Sequence, residues 1–292
     1  MRLFYSSDYT AAGVSFDTTR KSGWIAESLA SNPIPGVEIV APAPLTFQEI
    51  AEVHEPLYVK SIRRGEPKHL AESQGFTWDA GMWKAVTASN GGVVAAAAAA
   101  MTDGVSGSLS SGLHHAQHAR GAGFCTFNGL VIAARKVLAQ GARTVLILDL
   151  DSHCGGGTHS IIENDNRIRQ VDVSLNSVDA YWANGSNTLD IIRDADKYLP
   201  TIGERLGELG HFDLCLYNSG MDPDERCEVG GFPGITAEVL RQREQLVFSW
   251  AKQKGIPIAF VLAGGYCGQA LTQASLADLH RLTIASAQGT VT

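Results

Sequence analysis

Positive charge is scarce in this chain. Lys and Arg number 23 against 30 Asp and Glu, a formal net charge of −7 over 292 residues, and the cations are scattered. No basic stripe is available to neutralise a phosphate backbone, so direct binding of nucleic acid is not expected. Long hydrophobic runs are missing too. The most apolar stretch, GGVVAAAAAAM at 91–101, is too short to cross a bilayer and is largely alanine, the best helix former. A closely packed internal helix is expected there, and no membrane partner. The start MRLFYSSDYT has no charged region leading into an apolar one, hence no secretory signal, and a cytoplasmic protein is expected. Cysteines are few: the five present are odd in number and show no CxxC spacing, which disfavours a disulfide framework and a zinc ribbon alike. Repeats, low-complexity linkers and charge blocks are absent as well, so 1–292 is expected to form a single domain. A homo-oligomer is left open by the composition.

What the chain does have is the stretch RTVLILDLDSHCGGGT at 143–158. Its apolar run, Val145 to Leu148, suits a strand buried on both faces of a parallel sheet. Asp149, Asp151 and His153 follow at alternate positions, which point to one side of an extended chain. Gly155, Gly156 and Gly157 then let the backbone turn sharply and pass close to whatever those side chains hold. Ligands of open parallel sheets sit beyond the carboxyl ends of the strands, so a metal site is the first reading. A phosphate cradle is the rival, but GGGT fits neither phosphate-binding fingerprint.

Elsewhere strands and helices alternate. Strand-like runs at 1–5, 37–40, 105–109, 171–175, 214–217 and 258–262 are interleaved with helical patterns at 20–30, 75–101, 129–140, 195–209 and 236–254. Thr46 and Glu49 form a capping box at the start of another helix. This alternation predicts a three-layer α/β/α domain around a parallel sheet. His54 has no ligand-type neighbours and is read as structural. The segment 110–128 is too rich in Gly, His and small residues for a regular element and reads as a functional loop. Three further strand ends carry reactive side chains: His114 and His115 before the central strand, Asp222 after 214–217, and Tyr266 after 258–262. Asp151, His153 and Asp222 would give three nitrogen and oxygen ligands with one open position, the pattern of a catalytic zinc. The histidine pair would supply a general base, and Tyr266 a donor to the developing oxyanion. Asp224, Glu225 and Glu228 lie close to Asp222 in sequence, which predicts a negative entrance that draws in a cationic amine.

The motifs HHA at 114–116, GFCTFN at 123–128, LDLDSHCGGGT at 148–158, SGMD at 219–222 and AGGY at 263–266 occur in an order that resembles the zinc-dependent histone deacetylase and acetylpolyamine amidohydrolase superfamily. The resemblance implies the arginase-deacetylase fold and hydrolysis of an acylated amine, as a small molecule or as acyl-lysine in a protein. It implies zinc on Asp151, His153 and Asp222, with His114 and His115 as the acid/base pair and Tyr266 polarising the scissile carbonyl. Gly123 and Phe124 match the wall of the acyl-lysine channel, to which Val229, Trp182 (or Tyr181) and Gly265 are added as substrate-binding positions. Asp149, Ser174 and Leu175 match a monovalent cation site usually filled by potassium, and Asp149 also orients His114. The chain departs from the pattern where Cys154 and Gly156 replace a His and an Asn or Asp. His115 is therefore expected to lose a carboxylate or amide neighbour. The usual HPE motif is absent, and 16–20 stands in its place with Arg20 matching its arginine. An arginase-like binuclear ureohydrolase and a catalytically silent binding member are the alternative functions.

Overall fold

Strand-forming segments spread along the whole chain meet in one sheet. The computed structural model describes residues 1–14 and 16–291. Its strands are β1 (Arg2–Phe4), β2 (Glu38–Val40), β3 (Val105–Ser108), β4 (Val145–Asp149), β5 (Ile168–Ser174), β6 (Thr188–Ile191), β7 (Leu214–Ser219) and β8 (Ile258–Leu262). They lie in the order β2-β1-β3-β8-β7-β4-β5-β6, and every pair is parallel. Alternate residues of β4 show why the run had to be continuously apolar: Leu146 and Leu148 join the core on one face, Val145 and Ile147 the core on the other. Burying each such side chain contributes roughly 1.5–3 kcal/mol.

Helices cover both faces, as the alternation predicts. The expected capping box is present, with Thr46 Oγ1 accepting from Glu49 N at 3.3 Å and Glu49 Oε2 accepting from Thr46 N at 2.8 Å. The alanine-rich run belongs to the helix Met82–Asp103, whose 22 residues meet the length and apolarity of a membrane span. Two thirds of it is nevertheless buried within the fold. Gly91 and Gly92 make this packing possible, since a Cβ on either would run into Ala43 or Tyr9. The helices Pro56–Arg64, Gly156–Ile162 and Gln273–Val291 and the edge strand β6 add to the elements expected from sequence. Edge strands such as β6 are half-buried along their length, so they lack the apolar run that marks a central strand.

Four adjacent strands, β3, β8, β7 and β4, occupy the middle of the sheet. Parallel pairing sends all four carboxyl ends to one rim. The loops that leave this rim carry every chemically reactive motif singled out in the sequence.

Candidate metal and catalytic site

At the end of β4 the chain leaves the strand and folds its carboxylates back onto its own amides. Asp149 Oδ1 accepts from Asp151 N at 3.2 Å, and Asp151 Oδ1 accepts from His153 N at 3.0 Å. Asp222 reaches the same place from β7, where Ser152 N donates to its Oδ1 at 3.2 Å. His153 Nδ1 stands 3.0 Å from Asp151 Oδ1 and 3.0 Å from Asp222 Oδ2. One atom from each residue lies within 4.8 Å of the others, and all three are enclosed. Gly264 closes the floor: its N donates to Asp151 Oδ2 at 2.7 Å, and a side chain there would collide with both carboxylates.

Electrostatics test whether this set fits a cation. Burial and the neighbouring Asp151 push Asp222 up to about 7, whereas His153, despite its burial, is raised to about 11 by the two carboxylates. Two buried like charges and an imidazole aimed at one point form an unfavourable arrangement alone and a good one around a divalent ion. Nitrogen and oxygen donors in this number suit zinc and its neighbours. The residues fit a metal.

The histidine pair lies beside this set. His114 Nδ1 donates to Asp149 Oδ2 at 2.8 Å, and the other Asp149 oxygen accepts from Asn218 Nδ2 at 2.8 Å. Burial opposes a charge on His114, but Asp149 and Asp151 outweigh it and raise its pKa to about 10. Its Nε2 is 3.1 Å from His115 Nε2. Burial, then the charge on His114, lowers His115. The expected loss of a partner for His115 is corrected here, because His115 Nδ1 donates to Asp179 Oδ2 at 2.7 Å. Asp179 is 23 residues beyond Gly156, on the loop after β5, so no motif spacing pointed to it.

Other expected positions are placed unevenly. Gly123, at φ +50°, packs against the His115 ring, and Phe124 follows at φ +64°. Phe16, the first residue of the segment that stands in place of the HPE motif, packs at a tilt with its ring 4.3 Å from Phe124 and 5.6 Å from Tyr266. Tyr266 is buried, and Asp151 and Asp222 join burial in raising its pKa. Trp182 is 95% exposed, which corrects its expected place on a channel wall, since a wall residue is shielded by the side it faces. Tyr181 instead turns in and stacks on His159 at 4.2 Å. Val229 stands half-exposed beside Gly230, whose Cα faces His153. Gly265 faces His280 and Leu276, so Gly264 is the glycine that touches the carboxylates.

Arg20 likewise stays outside, bonded to the Val14 carbonyl, while the wholly buried Lys21 reaches the Ala263 carbonyl behind the site. Ser174 donates to Asp172 Oδ1 at 2.5 Å. Asp172 is a further buried carboxylate beside Asp149, raised by burial and then by Asp149. Leu175 donates its N to the Ser152 carbonyl at 3.0 Å. Asp224 adds little to any field at the entrance, because it is buried and bonded to Arg226 at 2.7 Å and 3.0 Å. His54 is structural as expected: its Nδ1 donates to the Gln117 carbonyl at 2.9 Å and its Nε2 accepts from Asn128 N at 2.9 Å.

A parallel sheet with an Asp-His-Asp cluster and a buried histidine pair at its carboxyl rim defines an α/β protein built around a candidate metal site. The profile of the histone deacetylase domain matches residues 16–198, and the chain belongs to the histone deacetylase and acetylpolyamine amidohydrolase superfamily. It is 32% identical over 223 residues to an uncharacterised protein of Picosynechococcus, covering 73% of this chain and 74% of that one. Histone deacetylase 2 of Arabidopsis thaliana is 27% identical over 60% of this chain. The acetoin utilization protein AcuC of Staphylococcus aureus is 28% identical over 50% of it. The chain spans 48% and 40% of those two proteins. Among solved structures, an acetylpolyamine aminohydrolase from Burkholderia pseudomallei superposes with a TM-score of 0.79 at 18% identity, covering 98% of both chains. The HD domain of HDA15 gives 0.76, covering 99% of this chain and 89% of that one. The arginase-deacetylase fold is therefore shared across the sheet and its helices.

Proposed function

We propose that this chain is a zinc-dependent amidohydrolase that removes an acyl group, acetyl first of all, from an acylated amine such as acyl-lysine or an acetylpolyamine. The observation that carries the proposal is the convergence of Asp151, His153 and Asp222 with the His114–His115 pair and Tyr266 on one rim. Zinc on the three ligands would supply Lewis acidity toward the scissile carbonyl and a water. The histidine pair takes a proton from the attacking water at an Nε2 and returns it to the departing nitrogen. Addition of the water oxygen makes the carbonyl carbon tetrahedral and its oxygen negative, and the C–N bond then breaks as the nitrogen takes up the proton, leaving a carboxylate and an amine. Tyr266 donates to the oxygen that becomes negative. Phe124 and Phe16 give the substrate stem an apolar wall. Potassium near Asp149, Ser174 and Leu175 remains part of this reading, and so does action of 1–292 as one catalytic domain in the cytoplasm.

An arginase-like second metal has less support, since Asp151, His153 and Asp222 are the one group of three or more potential ligands among the described residues. The test is an assay of zinc-loaded protein with acyl-lysine peptides of short and long acyl chain and with acetylated polyamines. Metal analysis accompanies it. About one zinc per chain and hydrolysis of at least one substrate are expected for a three-ligand site. Two tightly bound ions per chain would favour the ureohydrolase, and a metal-loaded but inert protein would favour a binding role.

A further inference from the structure

The chain lacks a polar residue at 156, yet the histidine beside that position is not left without a partner. Asp179 Oδ2 accepts from His115 Nδ1 at 2.7 Å and from Gly157 N at 3.1 Å. Its backbone is in the left-handed region, at φ +60°, where a residue other than glycine is uncommon and is held by its surroundings. Those surroundings are the glycine turn itself. Cys154 N donates to the Val178 carbonyl at 3.0 Å, and the Cys154 thiol donates to the Asn176 carbonyl at 3.2 Å. Asn176 Oδ1 in turn accepts from Val178 N at 3.0 Å. Gly156 completes the fit, since a Cβ there would run into the Asp179 carbonyl oxygen and come within 2.6 Å of its Oδ1. Cys154 and Gly156 thus hold the 176–179 loop against the turn.

On these observations we infer that Asp179 is the positioning residue of His115, and that Gly156 is small so that a carboxylate from a separate loop can take this place. The inference rests on the amidohydrolase reading for what the histidine does, and on geometry alone for how it is held. Asp179 fixes the proton of His115 on Nδ1, so Nε2 is the nitrogen presented to His114 and the reacting groups. His114 is fixed in the same sense by Asp149. The pair is therefore bracketed by one carboxylate at each end, the first from a strand and the second from a loop.

The experiment compares Asp179→Ala, Asp179→Asn and Gly156→Ala in zinc-loaded protein. Steady-state kinetics on the best substrate are read beside long-range proton–nitrogen spectra of the imidazoles, with His115→Gln assigning the His115 signals. Asp179→Ala should lower kcat by about 10–100-fold, the usual scale for removing an orienting group at a metal site. KM should stay within about twofold and zinc content should not change. The protonated His115 Nδ1 signal should disappear in Asp179→Ala and in Gly156→Ala. It should persist in Asp179→Asn, whose amide oxygen still accepts, and kcat should be partly rescued. Retention of the signal and of kcat in Asp179→Ala overturns the inference. So does equal impairment of the Asn and Ala variants with the signal intact, which would make Asp179 only a clamp on Gly157. If Asp179→Ala fails to fold, the Asn and Gly156 variants decide. The spectra need no turnover, so an enzyme inert toward every acylated amine would sink the amidohydrolase reading while this inference is still judged.

Discussion

The two ends of the histidine pair are held by different kinds of structure. His114 is anchored by Asp149, the last residue of a central strand, whose second oxygen is fixed by Asn218, directly opposite in the ladder. His115 is anchored by Asp179, on a loop, with a side chain 24% exposed. Sheet register sets the first contact, and several loop bonds acting together set the second. A strand-borne group has its position set by the whole sheet, so its loss is felt throughout the site. A loop-borne group can serve from more than one position in sequence, as Asp179 does by reaching His115 beside the glycine at 156, because only the end point in space matters.

The sharpest way to break the contrast is at a strand end. Asp222→Ala removes one of the three proposed ligands and leaves Asp151 and His153 without their common neighbour. Zinc should be lost and kcat/KM should fall on the order of a thousandfold or more, since a Lewis acid supplies several kcal/mol. Metal content by emission spectroscopy checks the first half and the peptide assay the second. A variant that keeps zinc and activity would remove Asp222 from the ligand set.

Tyr266 is an intermediate case, two glycines beyond β8 and packed under Phe16. Tyr266→Phe keeps the ring and deletes one donor, so kcat should drop about a hundredfold with zinc retained and KM little changed. Full activity in the Phe variant would mean that the hydroxyl does not face the reacting oxygen.

His54 sharpens the contrast from outside the site. It is buried like His114 and His115 but bonded only to backbone groups, and burial depresses its pKa to about 4. The folded state thus binds its proton less readily than the unfolded chain, whose histidine titrates near 6.5. The stability it confers is complete above about 6.5 and is lost as pH falls toward 4. Between pH 7 and pH 5 that loss should be about 2 kcal/mol from this residue alone. Urea unfolding of the wild type and His54→Gln at both pH values isolates it, because the substituted chain keeps every other titration. Equal losses in the two proteins would show that His54 does not titrate as described.

These cases also show what could be read from sequence. The central strands and the residues at their ends were legible because a doubly buried strand is continuously apolar and its terminus changes character within three residues, as at Leu148 to Asp151. Asp179 was not legible, since its partner in space is 64 positions away and its loop has no periodic pattern. Lys21 was hidden in a helix start whose composition is unremarkable, while Phe16 and Arg20 drew notice only because the segment 16–20 stands where the family resemblance puts its HPE motif, and nothing there pointed to the contacts of the Phe16 ring. The helix Gln273–Val291 was missed because small residues and the buried His280 interrupt its apolar face.

Trp182 marks the far end of the same loop and gives the smallest expected effect. A tryptophan beside a pocket invites a role in holding substrate, and the family resemblance put Trp182, or Tyr181, on the channel wall. The side chain is 95% exposed, however, and the inward contact belongs to Tyr181 on His159. Exposed side chains of this kind change stability by about 0.5 kcal/mol or less when truncated. Trp182→Ala should therefore leave the thermal midpoint and kcat unchanged and alter KM for an acetyl-lysine peptide by about twofold at most. The same substitution at Tyr181 should cost more, because it removes a stacked pair worth about 0.5–1.5 kcal/mol beyond its buried area. Kinetics and melting curves of the two variants, measured side by side, separate the readings. If Trp182→Ala raises KM tenfold with the midpoint intact, the ring folds over bound substrate, and the loop that positions His115 also grips the ligand.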